Sequence, residues 1–277
     1  MEFNIEDIKE PLLKYKDIEG KEDKEDKEDK ENKEDKEDKK DNEDNEDNKF
    51  SEEEIAKLIR SGFICKVYGI ITYQIIITTI VIMLSLYYPS FKSFLQTDYI
   101  IYCLCWLISI ICVLIPFVSP GVYIEVPSNY ITLTIFTLSY SYLVASKTCV
   151  YTPNSVITAL ILTFLTVVCL TIYAWKTDKD FTIMDGTLFT ALVILIFSPI
   201  IYIFFPIPLF NLLLSFGGVI FICIYLIYDT QLLLGGHRMK FSEDDYILAS
   251  IVIYVDIIIL FLKLLDIFGK DKDNEEK

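Results

Sequence analysis

Arginine is almost missing from this chain: 277 residues hold only Arg60 and Arg238. The basic, aromatic-interleaved patch that nucleic-acid binding needs is therefore absent. Also lacking is an apolar run near the start, since the first one begins near Phe63, behind an acidic segment. A cleavable secretory signal is not expected, and neither is a mitochondrial presequence, which would be rich in Arg and poor in acids. The first membrane helix must then itself direct insertion. The apolar stretches lack strand-like alternation, which excludes a membrane β-barrel. All seven cysteines fall within or beside apolar runs, and Cys103 and Cys105, two apart on a helix, point to roughly opposite sides. They read as small apolar residues, not as metal ligands.

What the chain does contain comes in two unlike parts. Of its 40 Asp and Glu, 22 precede Ser51, together with 12 of the 25 Lys and Arg, so most of the net charge of −15 belongs to the first fifty residues. Residues 21–40 repeat Lys-Glu-Asp, decaying into Asn-Glu-Asp by residue 48, with almost no apolar side chain. Such a segment buries too little surface to offset the entropy of ordering, so residues 1–50 are expected to be disordered. The tail is either a solvated spacer or a weak calcium- or partner-binding brush.

From Phe63 onward the apolar pattern is continuous, in blocks of the roughly 20 residues that a helix needs to cross ~30 Å of hydrocarbon. Seven blocks are placed at about 67–88, 99–119, 130–149, 155–175, 183–205, 208–234 and 246–268. Within a bilayer each must be a helix, because the backbone has no other partner there. The expected fold is all-α: a polytopic membrane protein with seven transmembrane helices over 51–269, followed by a short charged tail, 270–277. Pro89, Pro127, Pro153, Pro206 and Pro208 punctuate the blocks. Ser51, followed by three glutamates, resembles an N-cap with acids in the first turn, the mark of a short interfacial helix before the first span.

With the N-terminus in the cytosol, Lys57, Arg60, Lys66, Lys176, Lys179, Arg238 and Lys240 lie inside, against Lys92 and Lys147 outside. That satisfies the positive-inside rule. Lys270, Lys272 and Lys277 are the exception. Either a short basic tail lies outside, or one block, the last being the candidate, is re-entrant.

Four acids sit inside or at the rim of the blocks: Asp185, Asp229, Asp256 and Asp266. Asp185 follows Thr182 by three residues, which suggests helix capping, and Asp266 can reach the interface. Asp229 and Asp256 lie deeper, where each costs roughly 2.5–3.5 kcal/mol on insertion scales. Counted from the connection between the last two blocks, they lie ~9 and ~15 Å deep at 1.5 Å per residue. If their faces turn together, two carboxylates meet in a low-dielectric site where both cannot comfortably be ionised. The pair then shares a proton or transiently gathers a hard cation such as calcium. Otherwise each bonds a neighbouring Ser, Thr or Tyr as packing glue.

Around these residues stand Tyr228-Asp229-Thr230-Gln231, Leu234-Gly235-Gly236, Ser242-Glu243-Asp244-Asp245-Tyr246, Tyr254-Val255-Asp256-Ile257-Ile258 and Phe268-Gly269. Earlier come Phe63-Ile64, Lys66-Val67-Tyr68, Pro127 with Asn129, Phe136-Thr137-Leu138, Lys176-Thr177-Asp178 and Asp180-Phe181-Thr182. This ordered set, from about Ile59 to Gly269, resembles the Bax inhibitor and Lifeguard family. The resemblance implies seven helices with the last one central, and a pH-sensitive calcium leak of endomembranes, endoplasmic reticulum or Golgi before plasma membrane, that protects against cell death. It casts Asp229 and Asp256 as the ion- and proton-sensing pair, with Asp185, Asp266, Tyr228 and Tyr254 as accessory candidates. Its partners are lipids, calcium, protons and cell-death regulatory membrane proteins; no cofactor and no catalytic step is implied. The chain departs from bacterial relatives at the end of the second block, where Phe117-Val118-Ser119-Pro120-Gly121 replaces an arginine that latches onto the pair. Cys65 stands where relatives often have Arg, and Glu125 lies in a loop that is often basic.

Three rival functions compete with that reading. An intramembrane aspartyl protease would need Gly-x-Gly before its second aspartate, whereas Ile253-Tyr254-Val255 precedes Asp256, and its Pro-Ala-Leu element is missing. A seven-helix receptor would need longer connections, a disulfide pair and an Asp-Arg-Tyr element. A non-conducting scaffold for cell-death regulators stays open.

Overall fold

The computed structural model describes residues 40–119, 121–181, 188, 190, 193, 208–235 and 241–270, with backbone alone for 40–53 and 208–212. Eight helices and no strand occur among the described residues. They are α1 (Lys40–Tyr87), α2 (Pro89–Thr97), α3 (Tyr99–Val118), α4 (Gly121–Ile124), α5 (Ser128–Thr148), α6 (Pro153–Lys176), α7 (Pro208–Leu234) and α8 (Tyr246–Phe268). Met1–Phe63 and Ile64–Lys277 are two compact units. Within the first, the described residues are helical, and the Arg60 guanidinium lies 4.7 Å from the centre of the Phe63 ring.

Prolines set the boundaries. Pro89 follows Tyr88 at the start of α2, and Pro153 follows Thr152 at the start of α6, where a missing N–H costs nothing. Thr152 caps α6 by accepting from Ser155 N at 3.4 Å. Gly235 ends α7 with φ 93°, the left-handed turn that favours glycine.

At the N-terminal side, residues 1–39 of the tail expected to be disordered lie outside the described residues. Helix α1 begins at Lys40, so Ser51 lies inside it instead of capping a separate interfacial helix. The run of Asp, Glu, Asn and Lys there carries no proline or glycine, so nothing in it stops a helix already formed downstream.

Among the described residues, five helices are long and apolar enough to cross a membrane: Glu54–Tyr87, Tyr99–Val118, Pro153–Lys176, Leu213–Leu234 and Tyr246–Phe268. The block at 130–149 is a helix of matching length, α5, but its inward face carries Asn129, Thr132, Thr137, Ser139, Ser141 and Thr148. Those residues lower its hydropathy because α5 turns them to the protein interior instead of the lipid. The block at 183–205 lies outside the described residues except for Leu188, Thr190 and Val193, which are helical.

The last helix holds the centre of the second unit. In α8, 67% of the apolar window is buried, against 11–39% in the other four candidate spans. It is unbroken for 23 residues, about 34 Å at helical rise. Its start is held to the start of α5 by Asn129 Nδ2 donating to Tyr246 OH at 2.7 Å, and Lys66 Nζ sits 3.5 Å over the Tyr246 ring. Its end meets the end of α5 through Lys147 and Asp266, 3.0 Å apart. Helices α5 and α8 therefore run side by side over the same depth.

That far end is closely packed. Tyr151 OH donates to Asp266 Oδ1 at 3.1 Å, Thr152 N to Lys270 O at 3.0 Å, and Lys270 N to Ser155 Oγ at 3.0 Å. Gly269 is pressed against the Tyr151 ring; a Cβ there would fall 2.5 and 2.6 Å from ring carbons, and closer still to the Leu265 carbonyl.

Candidate functional site

Asp229 on α7 and Asp256 on α8 are both buried, 5% and 8% exposed. The two helices pack closely along their length, and the two carboxyl groups come within hydrogen-bonding reach of each other. Two ionised carboxylates have no proton to bond with, so a hydrogen bond between these two would require one of them to be protonated. Asp256 Oδ2 is buried with no hydrogen-bond partner. A carboxyl oxygen so placed would have capacity for a proton or a cation.

Tyrosines surround the pair. Tyr225 lies within electrostatic reach of both carboxyls and Tyr140 within reach of Asp256. The Tyr225 hydroxyl is taken up by the Leu188 carbonyl at 2.7 Å, and Tyr228 packs edge-on against the Tyr225 ring. Asp185 lies outside the described residues. Asp266 is ten residues beyond Asp256 on α8, ~15 Å along the axis, and pairs with Lys147 and Tyr151 instead. Tyr254, two residues before Asp256, points to the other side of α8.

There it completes a layer that sequence reading missed. Tyr254 OH is 2.7 Å from Thr78 Oγ1, which is 2.8 Å from Ser141 Oγ, and Gln74 Nε2 donates to Thr137 Oγ1 at 3.2 Å. All five side chains are at most 2% exposed. Phe136 and Tyr140 meet the Tyr254 ring edge-on, at 6.2 and 5.9 Å between centroids. The layer ties α1 and α5 to the side of α8 opposite the carboxyls, so it fixes the rotation of α8 about its axis and hence where Asp256 points. The signal available in sequence was weak: Gln74 is the one amide inside an otherwise apolar run.

Gln231 lies two residues after Asp229 on α7. Its Oε1 accepts from Phe181 N at 2.8 Å and its Nε2 donates to Lys179 O at 2.8 Å. One amide thus pins the connection after α6 to the end of α7, beside a cavity of about 170 Å³ bounded by Trp175, Asp178 and Gly235. Among the described residues no group of three or more His, Cys, Asp or Glu converges on a point. A cation here would have the Asp229–Asp256 pair as its charged ligands. The seven cysteines are all free thiols.

The family model described as "Inhibitor of apoptosis-promoting Bax1" matches residues 60–273. "Protein lifeguard 3" of Homo sapiens is 30% identical over 215 residues, covering 76% of this chain and 69% of its own. "BI1-like protein" of Arabidopsis thaliana is 35% identical over 219 residues, 76% of this chain and 80% of its own. "Bax inhibitor 1" of Schizosaccharomyces pombe is 29% identical over 223 residues, 80% of this chain and 81% of its own. The matched region includes both carboxyls, the Tyr254 layer and the Gln231 clasp. With five helices apolar enough to cross a membrane, it is built as an integral multi-pass protein. The chain belongs to the Bax inhibitor and lifeguard family.

Proposed function

We propose that this protein is a pH-sensitive calcium leak of an endomembrane, endoplasmic reticulum or Golgi, with its N-terminus in the cytosol, and that it serves calcium balance and protection from cell death. The observation that carries this reading is the pair of buried carboxyls, Asp229 and Asp256, in mutual hydrogen-bonding reach with one oxygen of Asp256 unpartnered. A proton and a hard cation compete for the same oxygens in such a pair. Calcium prefers oxygen ligands and tolerates irregular geometry. A membrane carboxylate is costly enough that a functional reading is the default. Acidification loads the pair with protons, removes its charge and changes cation passage. No catalytic step is assigned to these residues.

The missing arginine latch leaves the pair to be closed by its own shared proton and by the packing that orients α8. The test is calcium flux into liposomes carrying the purified full-length protein, at a series of pH values. Asp229→Asn and Asp256→Asn are each expected to abolish or displace the response to pH. A response unchanged in both variants sinks the mechanism. Flux untouched by either variant, with cell protection intact, would favour a non-conducting scaffold.

A further inference from the structure

A second site lies between α1, α6 and α8. Ile75, Thr78, Thr79 and Ile82 of α1 face Leu160, Thr163, Phe164 and Val167 of α6 across a groove of about 110 Å³. Ile257, Ile258 and Phe261 of α8 form its floor. Helices α1 and α6 contribute residues at spacings of three, four and seven, so the groove follows the helix axes for two turns, about 10 Å. It is long and narrow, not round.

Its chemistry is apolar even where its residues are not. Thr78 Oγ1 contacts Gln74 O at 2.8 Å and Tyr254 OH at 2.7 Å, and Thr163 Oγ1 donates to Ala159 O at 2.7 Å. Those hydroxyls are committed within the protein and add little polarity to the wall. A water molecule needs two to four polar partners and would find few. An empty groove would forfeit the dispersion contacts of its walls.

Position decides what fills it. All three lining helices are candidate membrane spans, so the medium outside the groove is hydrocarbon. Phe164 at its mouth is 67% exposed, whereas Ile82, Thr163 and Phe261 on its walls and floor are at most 5% exposed. We propose that the groove holds one acyl chain of a bilayer phospholipid, lying parallel to the helices and in contact with α8 at Ile257, the residue that follows Asp256. This site does not depend on the calcium reading. It would give membrane composition a direct contact with the central helix.

Full-length protein in phosphatidylcholine liposomes containing a phosphatidylcholine with a diazirine halfway along one acyl chain is irradiated, and the adducts are mapped by mass spectrometry. Adducts on Leu160, Phe164 and Phe261 are expected to exceed several-fold those on Ile161 and Leu165, which face the lipid outside the groove. Thr163→Phe narrows the groove from within, and Thr79→Phe narrows it at the half-exposed rim, where folding is less at risk. A several-fold loss of groove adducts in either variant, with Ile161 and Leu165 still labelled, supports the site. Even labelling of groove and surface, or groove labelling unchanged in both variants, overturns it.

Discussion

Replacing Gly269 by alanine tests the packing at the end of α8 with the least possible atom count. Gly269 has φ −71° and ψ 141°, ordinary extended backbone, so the demand for glycine is purely steric. An alanine Cβ would sit 2.5 Å from Tyr151 Cδ1 and 2.6 Å from Cε1. Carbon atoms are at ease at about 3.5–4.0 Å, so roughly 1 Å must be recovered. Overpacking of this kind costs about 1–3 kcal/mol when the neighbours hold still. If the Tyr151 ring swings away, its 3.1 Å bond to Asp266 is lost, worth about 1.5–3 kcal/mol for a charged acceptor. Either route puts Gly269→Ala about 1–3 kcal/mol below the wild type. At about 2–4 °C per kcal/mol for a chain of this size, the melting temperature in detergent should fall by roughly 2–12 °C. In a Tyr151→Ala background the same change should cost less, by the share that the ring contributes, while the contact with the Leu265 carbonyl remains, a departure from additivity. An unchanged melting temperature, or penalties that simply add, would refute the reasoning.

Two further changes probe the ends of the bundle. Gln231→Glu keeps an acceptor for Phe181 N but removes the donor to Lys179 O, leaving a carbonyl opposite a carboxylate at a cost of about 1–3 kcal/mol. Hydrogen exchange of residues 176–181 should then speed up, and exchange at the wild-type rate would refute the clasp. Lys147→Met removes an ion pair whose lysine is 43% exposed, so the loss should stay below about 1 kcal/mol. The difference from wild type should vanish in 1 M salt, where such pairs are screened; a loss that persists there contradicts an electrostatic role.

The approach of Asp229 to Asp256 was open to sequence reading because the last two helices are antiparallel and joined by a short connection, so counting residues from it compares depth directly. The face each helix turns inward was not readable in that way. Both Tyr254 and Asp256 sit in one apolar run, where their two-residue spacing sets them on opposite sides of α8, but which helices those sides meet is shown only by the packing. The Gln74, Thr78 and Ser141 layer escaped because one polar residue per turn hardly disturbs an apolar average. For α5 the same averaging worked in reverse: a block that looks lipid-facing turns its hydroxyls and Asn129 inward. At the acidic end, composition predicts solvation, and the helix from Lys40 shows that a charged run without breakers can still extend a neighbouring helix. Asp266 stands ~15 Å along α8 from Asp256 and has Lys147 and Tyr151 as its partners, which its place in the sequence did not show.

The central place of α8 bears on how the protein is made. Helices α1 and α5 leave the ribosome before α8, and each carries polar side chains that the finished bundle hides: Gln74 and Thr78 on one, Thr137 and Ser141 on the other. Until α8 arrives, Tyr254 is missing from that layer and the newly inserted helices hold an unfinished polar seam within the bilayer. The seam is closed only when the last helix inserts, so the order of insertion leaves the polar faces of α1 and α5 costly until the chain is complete.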